Sequence, residues 1–460
     1  MKNDSMNMCE GPILKKVILY TLPIIATGIL QLLFNAADLV VVGQFCGSIS
    51  IAAVGSTGSL INLITNLFLG LSVGAGVSVA HAIGAKDDER AHRIIHTAIP
   101  IAAICGVILT FVGVFGAHRL LRLMSTPDNV LTLSSIYLKI YFLGITATLI
   151  YNFGASILRA AGDTRGPLIY LTIAGVVNIV LNIFFVTVFR MNVAGVALAT
   201  AISQTVAAVL IIIALMRRTD GCRLELSKLR FYKREIFKIL RIGVPAGIQS
   251  SLFSLSNVII QSSINSFGDV VMSGSAAAAN IEGFVWIAIN AFSHSALNFV
   301  GQNAGAKNYG RVRRIIWACL GCVTVTGLVF GTAAYLFSRP LLGIYITDSP
   351  AAIEYGVIRI AYICLPYFIC GLMDTMTGAI RGLGSSVAPM IVTVGGVCGF
   401  RILWIYTVFQ IPKYHSLEWL LISYTISWAI TFLVQLAVFF IIYKKRAGAQ
   451  NRAEPMAAVS

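Results

Sequence analysis

The stretch Arg159-Ala160-Ala161-Gly162-Asp163, followed by Pro167, has a counterpart in Arg381-Gly382-Leu383-Gly384-Ser385, followed by Pro389. The two copies lie about 222 residues apart, and apolar segments surround both of them. Similar sequence at one long, fixed spacing indicates that a whole structural unit has been duplicated. The repeat therefore predicts a chain built from two related halves.

Other positions repeat at nearly the same spacing. Pro23 recurs as Pro245, and the tripeptide Gly84-Ala85-Lys86 recurs one residue out of step as Gly305-Ala306-Lys307. Each tripeptide is interpreted as a helix end capped by its glycine, followed by a turn. Two like halves related by a pseudo-twofold axis are a common plan for transporters, which place the substrate site where the halves meet.

The composition places the chain in a membrane. Of its 460 residues, 57% are hydrophobic and 11% are charged, whereas soluble domains have about 25% charged residues. Twelve apolar stretches have roughly the 20 residues that a helix needs to cross a bilayer, six in each half. We therefore expect an all-α integral membrane protein with twelve transmembrane helices in two pseudo-symmetric six-helix lobes. The predicted segments are an N-terminal segment (1–14), an N-lobe (15–216), a linker (217–235), a C-lobe (236–443) and a C-terminal tail (444–460).

The positive charges indicate the orientation. The formal net charge is +16, and most Lys and Arg residues fall in the two tails, the linker and the loops after even-numbered spans. Positive residues accumulate on the cytoplasmic side of membrane proteins. We therefore expect a multi-pass protein of the plasma membrane with both termini, the N-terminal segment and the linker in the cytoplasm. No soluble domain is present to carry a basic face, so nucleic acid is not an expected partner.

Cofactor and metal chemistry is not expected. Cys319 and Cys322 lie in an apolar helix and are interpreted as small buried hydrophobic residues. His92 and His96 share a helix face but lack a third ligand. The predicted partners are a small-molecule substrate and the lipid bilayer, and the predicted state is a monomer.

Three acidic residues fall clearly inside the predicted spans. They are Asp38, Glu282 and Asp374. A charged side chain at the centre of a membrane helix costs about 2.5 to 3.5 kcal/mol on insertion scales. Arg401 is taken as the one clearly intramembrane arginine, and it is available to neutralise one of the acids. Such residues are candidates for function because of their cost.

Asp38 has polar companions. Gln31, Asn35 and Asp38 share one face of the first helix at spacings i, i+4 and i+7. Another pair, Asn178 and Asn182, shares a face in the fifth span, and Thr200 lies in the sixth. Together these residues predict a polar chamber in the first half. The alternative is that the amides are interhelical hydrogen-bonding groups, worth about 0.6 kcal/mol each.

Pro23 removes one backbone hydrogen bond from the first helix and permits a bend. A helix that bends and carries a titratable acid is suited to a coupled transporter, because protonation or ion binding at Asp38 can bias the bend. Asp38 is therefore the candidate coupling residue, with Pro23 as the hinge.

The second half carries a different set of polar residues. Gln249 and Asn257 give its first helix a polar face, and Glu282 and Asp374 are its acids. These four residues and Arg401 are the candidates for substrate binding. Because buried charges are costly alone, Glu282 is predicted to pair with Arg401. The alternative is a pair between Asp374 and Arg401.

These residues resemble the multidrug and toxic compound extrusion (MATE) family. The resemblance rests on Pro23…Gln31…Asp38-x4-Gly43, on residues 157–164 with their echo at 380–384, and on Asn178-Ile179-Val180-Leu181-Asn182. It implies export of amphipathic, often cationic compounds by antiport with protons or sodium ions. By the same motif match, Asp38 is similar to the family's coupling acid, with Gln31, Asn178 and Thr200 as partners and sodium as a possible ligand. Many members carry an aspartate where this chain has Asn182, which leaves the choice of ion open.

Other functions remain as alternatives. A lipid or lipid-linked oligosaccharide flippase of the same wider superfamily predicts a chamber lined by cations. A major-facilitator carrier needs a basic motif after the second span that residues 84–93 do not supply. A membrane-embedded prenyltransferase needs paired aspartate clusters, and the chain has only Asp87-Asp88. A nucleotide-driven pump needs a G-x-x-x-x-G-K-[ST] loop, which is absent from the sequence. We therefore expect a transporter and not an enzyme.

Overall fold

A computed structural model describes residues 6–124, 126–347 and 349–457, and this part of the chain is almost entirely helical. The predicted terminal segments extend beyond it, since residues 1–5 and 458–460 lie outside the described residues. The first half contains α1 (Ile13–Cys46), α2 (Ser48–Gly84), α3 (Asp88–Leu123), α4 (Asp128–Leu143), α5 (Ile145–Ala160), α6 (Arg165–Thr187) and α7 (Asn192–Met216). The second half contains α8 (Lys233–Asn265), α9 (Asp269–Gly305), α10 (Tyr309–Leu336), α11 (Ser338–Gly343), α12 (Pro350–Cys364), α13 (Tyr367–Gly382), α14 (Val387–Thr393), α15 (Phe400–Tyr406) and α16 (Leu417–Ala457).

These helices form the twelve predicted crossings. In the described part of the chain, nine helical spans are long and apolar enough to cross a membrane. Two further spans are bent pairs, α4 with α5 at 46° and α12 with α13 at 43°. The remaining span is α8, whose many polar residues make it less apolar than the others. The predicted fold class, with six spans in each half, is confirmed.

The two halves share backbone details at the repeated loops. Gly162 and Gly384 both have positive φ angles, 90° and 80°, a conformation that glycine adopts without steric penalty. Asp87 accepts a hydrogen bond from the backbone N–H of Arg90, and Asn308 does the same for Arg311. Each side chain thus caps the start of the helix that follows it. The duplication seen in sequence is therefore also a duplication of local structure.

The predicted glycine caps after α2 and α9 are wrong in detail. Gly84 and Gly305 are the last residues of their helices. The left-handed conformation falls instead on Lys86 (φ 54°) and Lys307 (φ 57°). The two halves therefore share the same unfavourable backbone conformation, and in each it falls on a lysine two positions beyond the glycine.

The structure divides into two compact units at positions different from the predicted lobes. The first unit comprises Leu22–Gly247 with residues 6–7, and the second comprises Met8–Thr21 with the chain from Ile248 onward. The boundaries thus fall within α1 and within α8, next to Pro23 and Pro245. The predicted boundaries at 15, 216, 236 and 443 followed span ends instead.

Packing explains why the first part of α8 belongs to the first unit. A Cβ atom on Gly70 would meet the backbone nitrogen of Gly247 at 2.2 Å, and one on Gly74 would meet the carbonyl oxygen of Ile239 at the same distance. The two helices therefore approach backbone to backbone, which only glycine permits. In the second unit, the Thr21 and Ser295 hydroxyls lie 2.7 Å apart, which ties the start of α1 to α9.

The predicted linker and the predicted C-terminal tail both contain helical structure. The linker carries a 3₁₀ turn at Leu226–Lys228 and is pinned to α3, because Glu225 N donates to His96 Nε2 over 3.0 Å. Its last residues form the start of α8. The predicted tail continues α16 as a helix as far as Ala457.

Candidate functional site

Asp38 lies in a hydrogen-bonded cluster made by three helices of the first unit. The Asn182 amide on α6 donates to Asp38 Oδ1, and the Thr200 hydroxyl on α7 lies 3.4 Å from Asp38 Oδ2. Asn182 also donates to Asn178 Oδ1 over 3.2 Å, and Asn178 Nδ2 donates to Thr200 Oγ1 over 3.3 Å. The structure therefore brings together four of the six predicted coupling residues.

The sequence spacing explains this arrangement. Asn178 and Asn182 are one turn apart on α6, so both amides leave the same face, and both side chains are buried. Asp38 is half-buried. All of its hydrogen-bonding partners in the described residues are neutral, so the carboxylate is solvated by amide and hydroxyl groups and not by a cation.

Gln31 and Asn35 do not join the cluster. Both are exposed on α1, and within the described residues neither makes a hydrogen bond to Asp38. Gln31 lies about 10 Å from Asp38 along the helix axis at a rise of 1.5 Å per residue. A shared helix face brought these residues into one prediction, but it does not bring their side chains together.

Two tyrosines near Asp38 were not among the site residues predicted from the sequence. Tyr137 and Tyr141 on α4 lie close enough to Asp38 to interact with its charge. Their rings stack with centroids 6.2 Å apart. The signal was present as an i, i+4 tyrosine pair within an apolar span, and it extends the cluster to a fourth helix.

The cluster offers oxygen atoms to a small cation. Besides the Asp38 carboxylate, Asn182 Oδ1 is buried without a hydrogen-bond partner, and the Thr200 hydroxyl lies beside it in the same network. Oxygen donors are the ligands of hard cations, and a carboxylate also accepts a proton. The site thus fits either a proton or a single monovalent ion, and no described group of His, Cys, Asp and Glu has the makeup of a multidentate metal site.

The acids of the second unit are arranged differently. Glu282 on α9 forms a two-pronged ion pair with Arg359 on α12, with Nε–Oε1 and Nη2–Oε2 distances of 2.7 and 3.0 Å. Their side chains are 9% and 8% exposed, respectively. The predicted pair between Glu282 and Arg401 is therefore wrong, because Arg359 occupies both carboxylate oxygens. Arg359 was missed although it is the one charged residue of the apolar run 355–364 in α12.

Asp374 is also separate from Arg401, so the alternative pair is wrong as well. Asn290 on α9 donates to Asp374 Oδ2 over 3.3 Å. Arg381, two turns further along α13, donates to Gln249 Oε1 over 2.8 Å. Gln249 thus contacts a charged residue of its own unit, whereas Asn257 is exposed and makes no hydrogen bond to these residues in the described structure.

Arg401 is completely buried. Its Nε donates to Ser427 Oγ over 3.0 Å, and its guanidinium carbon lies 4.0 Å from the centre of the Tyr424 ring. An aromatic face attracts a cation at this distance. Arg401 is therefore held by a hydroxyl and a ring, with no acidic partner among the described residues.

Comparison with known families explains the internal repeat. A model of the MatE family matches the chain twice, at residues 23–184 and again at 245–407. The chain belongs to the MatE family. Each match begins at one of the paired prolines, Pro23 and Pro245, so the two halves seen as an internal repeat are two copies of the family's unit. The resemblance drawn from the sequence motifs is confirmed.

Individual relatives agree over most of their length. The chain is 29% identical to the probable multidrug resistance protein YpnP of Bacillus subtilis over 84% of this chain and 86% of that protein. It is 27% identical to the probable multidrug resistance protein NorM of Thermotoga maritima, with 82% of each covered. The structure also resembles a MOP-superfamily transporter from Pyrococcus furiosus, with a TM-score of 0.90, 20% identity, and 97% of this chain and 99% of that one covered. Probable multidrug resistance proteins thus resemble the chain in sequence, and a solved MOP-superfamily transporter resembles it in fold.

Proposed function

We propose that this MatE transporter is a secondary-active antiporter that works by alternating access of its two lobes and couples the entry of a proton or sodium ion at Asp38 to the export of amphipathic, often cationic, organic compounds. The observation that carries the proposal is the single Asp38 carboxylate, hydrogen-bonded within the membrane helices by Asn182 and close to Thr200. Moving one charge through 100 mV releases about 2.3 kcal/mol. One carboxylate is therefore sufficient to draw on an ion gradient.

The neighbours of Asp38 explain how it would act. A carboxylate with only neutral partners holds a net negative charge inside the membrane, which binding of one cation removes. Because Asp38 and the hinge residue Pro23 lie on the same helix, loss of the charge changes the energy of a bend in α1. This link between an ion and a helix bend is the coupling step that we propose.

We also propose a membrane location, an orientation and the partners of the protein. We place the protein in the plasma membrane with both termini in the cytoplasm, as the distribution of basic residues favours. We infer that it works as a monomer on small molecules, with no cofactor and no enzymatic activity. The twin matches to the family model support an arrangement in which each monomer carries both halves of the transport machinery.

The test uses purified protein in proteoliposomes, with proton and sodium gradients imposed separately and export of a cationic amphipathic dye as the readout. Asp38→Asn is expected to remove the acceleration by the gradient while leaving the thermal midpoint near that of the unmodified protein. Asp128→Asn is the matched control, because Asp128 is exposed at the start of α4 and should transport normally. If Asp38→Asn retains full gradient-driven export, Asp38 is not the coupling residue.

A further inference from the structure

The charges inside the second unit do not balance. Three buried or partly buried arginines, Arg359, Arg381 and Arg401, face two acids, Glu282 and Asp374. Arg359 and Glu282 neutralise each other through the two-pronged pair. Arg381 and Asp374 carry opposite charges two turns apart on α13, and they hydrogen-bond to Gln249 and Asn290 respectively. Arg401 is the surplus cation among the residues that the structure describes.

The surroundings of Arg401 leave one edge of its guanidinium without acceptors. Ser427 accepts from Nε, and the rings of Tyr424, Trp428 and Phe253 lie 4.0, 5.6 and 5.8 Å from the guanidinium carbon. Aromatic faces attract a cation, but their N–H···π contacts are weaker than hydrogen bonds to oxygen. Both terminal nitrogens, Nη1 and Nη2, are buried without a hydrogen-bond partner.

That free edge has the shape of an oxyanion site. Two parallel N–H groups of one guanidinium match the two oxygens of a carboxylate. A buried cation without a counter-charge is strongly destabilising, so an anion that reaches this edge gains both the charge interaction and the unmade hydrogen bonds. The three aromatic side chains near the guanidinium are chemically suited to contact the apolar part of such a ligand.

The backbone next to Arg401 departs from a regular helix. A π-helical turn spans Val394–Gly399 and ends immediately before α15, which carries Arg401. Single π turns within helices are frequent at functional sites. Two glycines of this turn differ in their surroundings, because a Cβ atom on the exposed Gly395 would meet nothing within 4 Å, whereas one on Gly396 would meet Thr431 Oγ1 at 2.3 Å. The irregular segment gives a means by which the buried edge can be opened to a ligand.

We propose that Arg401 is a binding residue for the carboxylate of an aromatic or apolar organic anion, and that the cargo of this transporter includes such anions. The proposal rests on the proposed export function for its second part only. Binding at Arg401 follows from the second unit alone and does not depend on Asp38.

Binding is tested first, on detergent-purified protein by titration calorimetry. The probes are 2-naphthoate, 2-naphthamide and 2-naphthylmethylammonium, which share one ring system and differ in charge. The variants are Arg401→Gln and Arg401→Lys, and the control is Arg339→Gln, which removes an exposed arginine paired with Glu354. Unliganded melting curves show whether each variant is folded.

Naphthoate is expected to bind the unmodified protein and Arg339→Gln alike, and the amide is expected to bind more weakly. Arg401→Gln should weaken naphthoate binding about ten- to a hundredfold, the value of one charged hydrogen-bonded contact. Arg401→Lys keeps the charge without the planar fork and should give intermediate affinity. Equal binding of naphthoate by folded Arg401→Gln, or no preference for naphthoate over the ammonium probe, overturns the proposal.

Transport separates this proposal from the coupling role of Asp38. Asp38→Asn should lose gradient-driven export yet keep the naphthoate affinity of the unmodified protein. Arg401→Gln should lose export of naphthoate and keep export of the ammonium probe. If Asp38→Asn retains driven export while Arg401→Gln loses naphthoate binding, the coupling role of Asp38 is wrong and the anion site stands. If Asp38→Asn loses driven export while Arg401→Gln keeps naphthoate binding, the coupling role stands and the anion site is wrong.

Discussion

The Asp38 cluster and the charged residues of the second unit are two outcomes of one duplicated scaffold. At the repeat spacing of about 222 residues, Asp38 lies opposite Ile260, and Arg359 lies opposite Tyr137. The first unit thus has one acid, Asp38, with neutral partners, whereas the second has Glu282 bound to Arg359 and Asp374 hydrogen-bonded to Asn290. A paired acid has its counter-charge in place and gains little from an incoming ion. On the proposed coupling role of Asp38, we therefore expect an incoming ion to act on the first unit through Asp38 and not on the second unit through Glu282.

The largest expected effect comes from breaking the pair between Glu282 and Arg359. Glu282→Gln or Arg359→Gln should each reduce stability by about 3 to 5 kcal/mol, because the remaining charge is stranded in a buried site. The double variant should lose less than the sum of the two. Thermal unfolding in detergent provides the measurement.

The exposed pair between Arg339 and Glu354 serves as the control for that cycle. It lies at the surface of the same unit, and removing either partner should change stability by no more than about 1 kcal/mol. Additive effects of Glu282→Gln and Arg359→Gln would mean that the two residues do not act as a pair, and the contrast between the two units would then disappear.

A smaller effect is expected from adding a second acid to the first unit. Asn182→Asp places two carboxylates in direct contact, and like charges at that distance cannot both ionise easily. The cluster should then hold a proton at higher pH, so the pH optimum of transport should move upward by on the order of one unit, equivalent to about 1.4 kcal/mol. Asn178→Asp is a useful comparison, because Asn178 contacts Asp38 only through its neighbours. An unchanged pH profile for well-expressed Asn182→Asp protein would show that the two side chains do not interact.

The smallest expected change in stability concerns a backbone conformation that the two halves share. Lys86 and Lys307 both adopt left-handed backbone conformations, which are unfavourable for residues with a Cβ atom. Lys86→Gly and Lys307→Gly should each raise stability by up to about 1 kcal/mol, and Lys86→Ala should not. Thermal midpoints would give the answer. A gain at one site and a loss at the other would mean that the repeated turns are not equivalent.

The sequence predicts more of the polar cluster in the first unit than of the charge pairing in the second unit, for physical reasons. The twelve spans and the polar helix faces that carry Asp38 and Asn182 follow from apolar length and helical spacing, which are local properties of the chain. The partner of Glu282 depends on which helices lie side by side, and α9 packs against α12, where Arg359 was overlooked. Gln31 does not contact Asp38 because seven residues on a common helix face still separate the two by about 10 Å along the axis. The unit boundaries at Leu22 and Gly247 depend on the close approach of α2 to α8, which no local pattern reveals.

The contrast between the units is tested most directly by comparing Asp38→Asn with Asp374→Asn in the same proteoliposome assay. The quantity to measure is the ratio of dye export with an imposed ion gradient to export without one. We predict that Asp38→Asn lowers this ratio to about one, because no titratable acid remains in the first-unit cluster, and that Asp374→Asn leaves the ratio at its original value even if the overall rate falls. A ratio that survives Asp38→Asn but collapses in Asp374→Asn would contradict the account and assign ion coupling to the second unit.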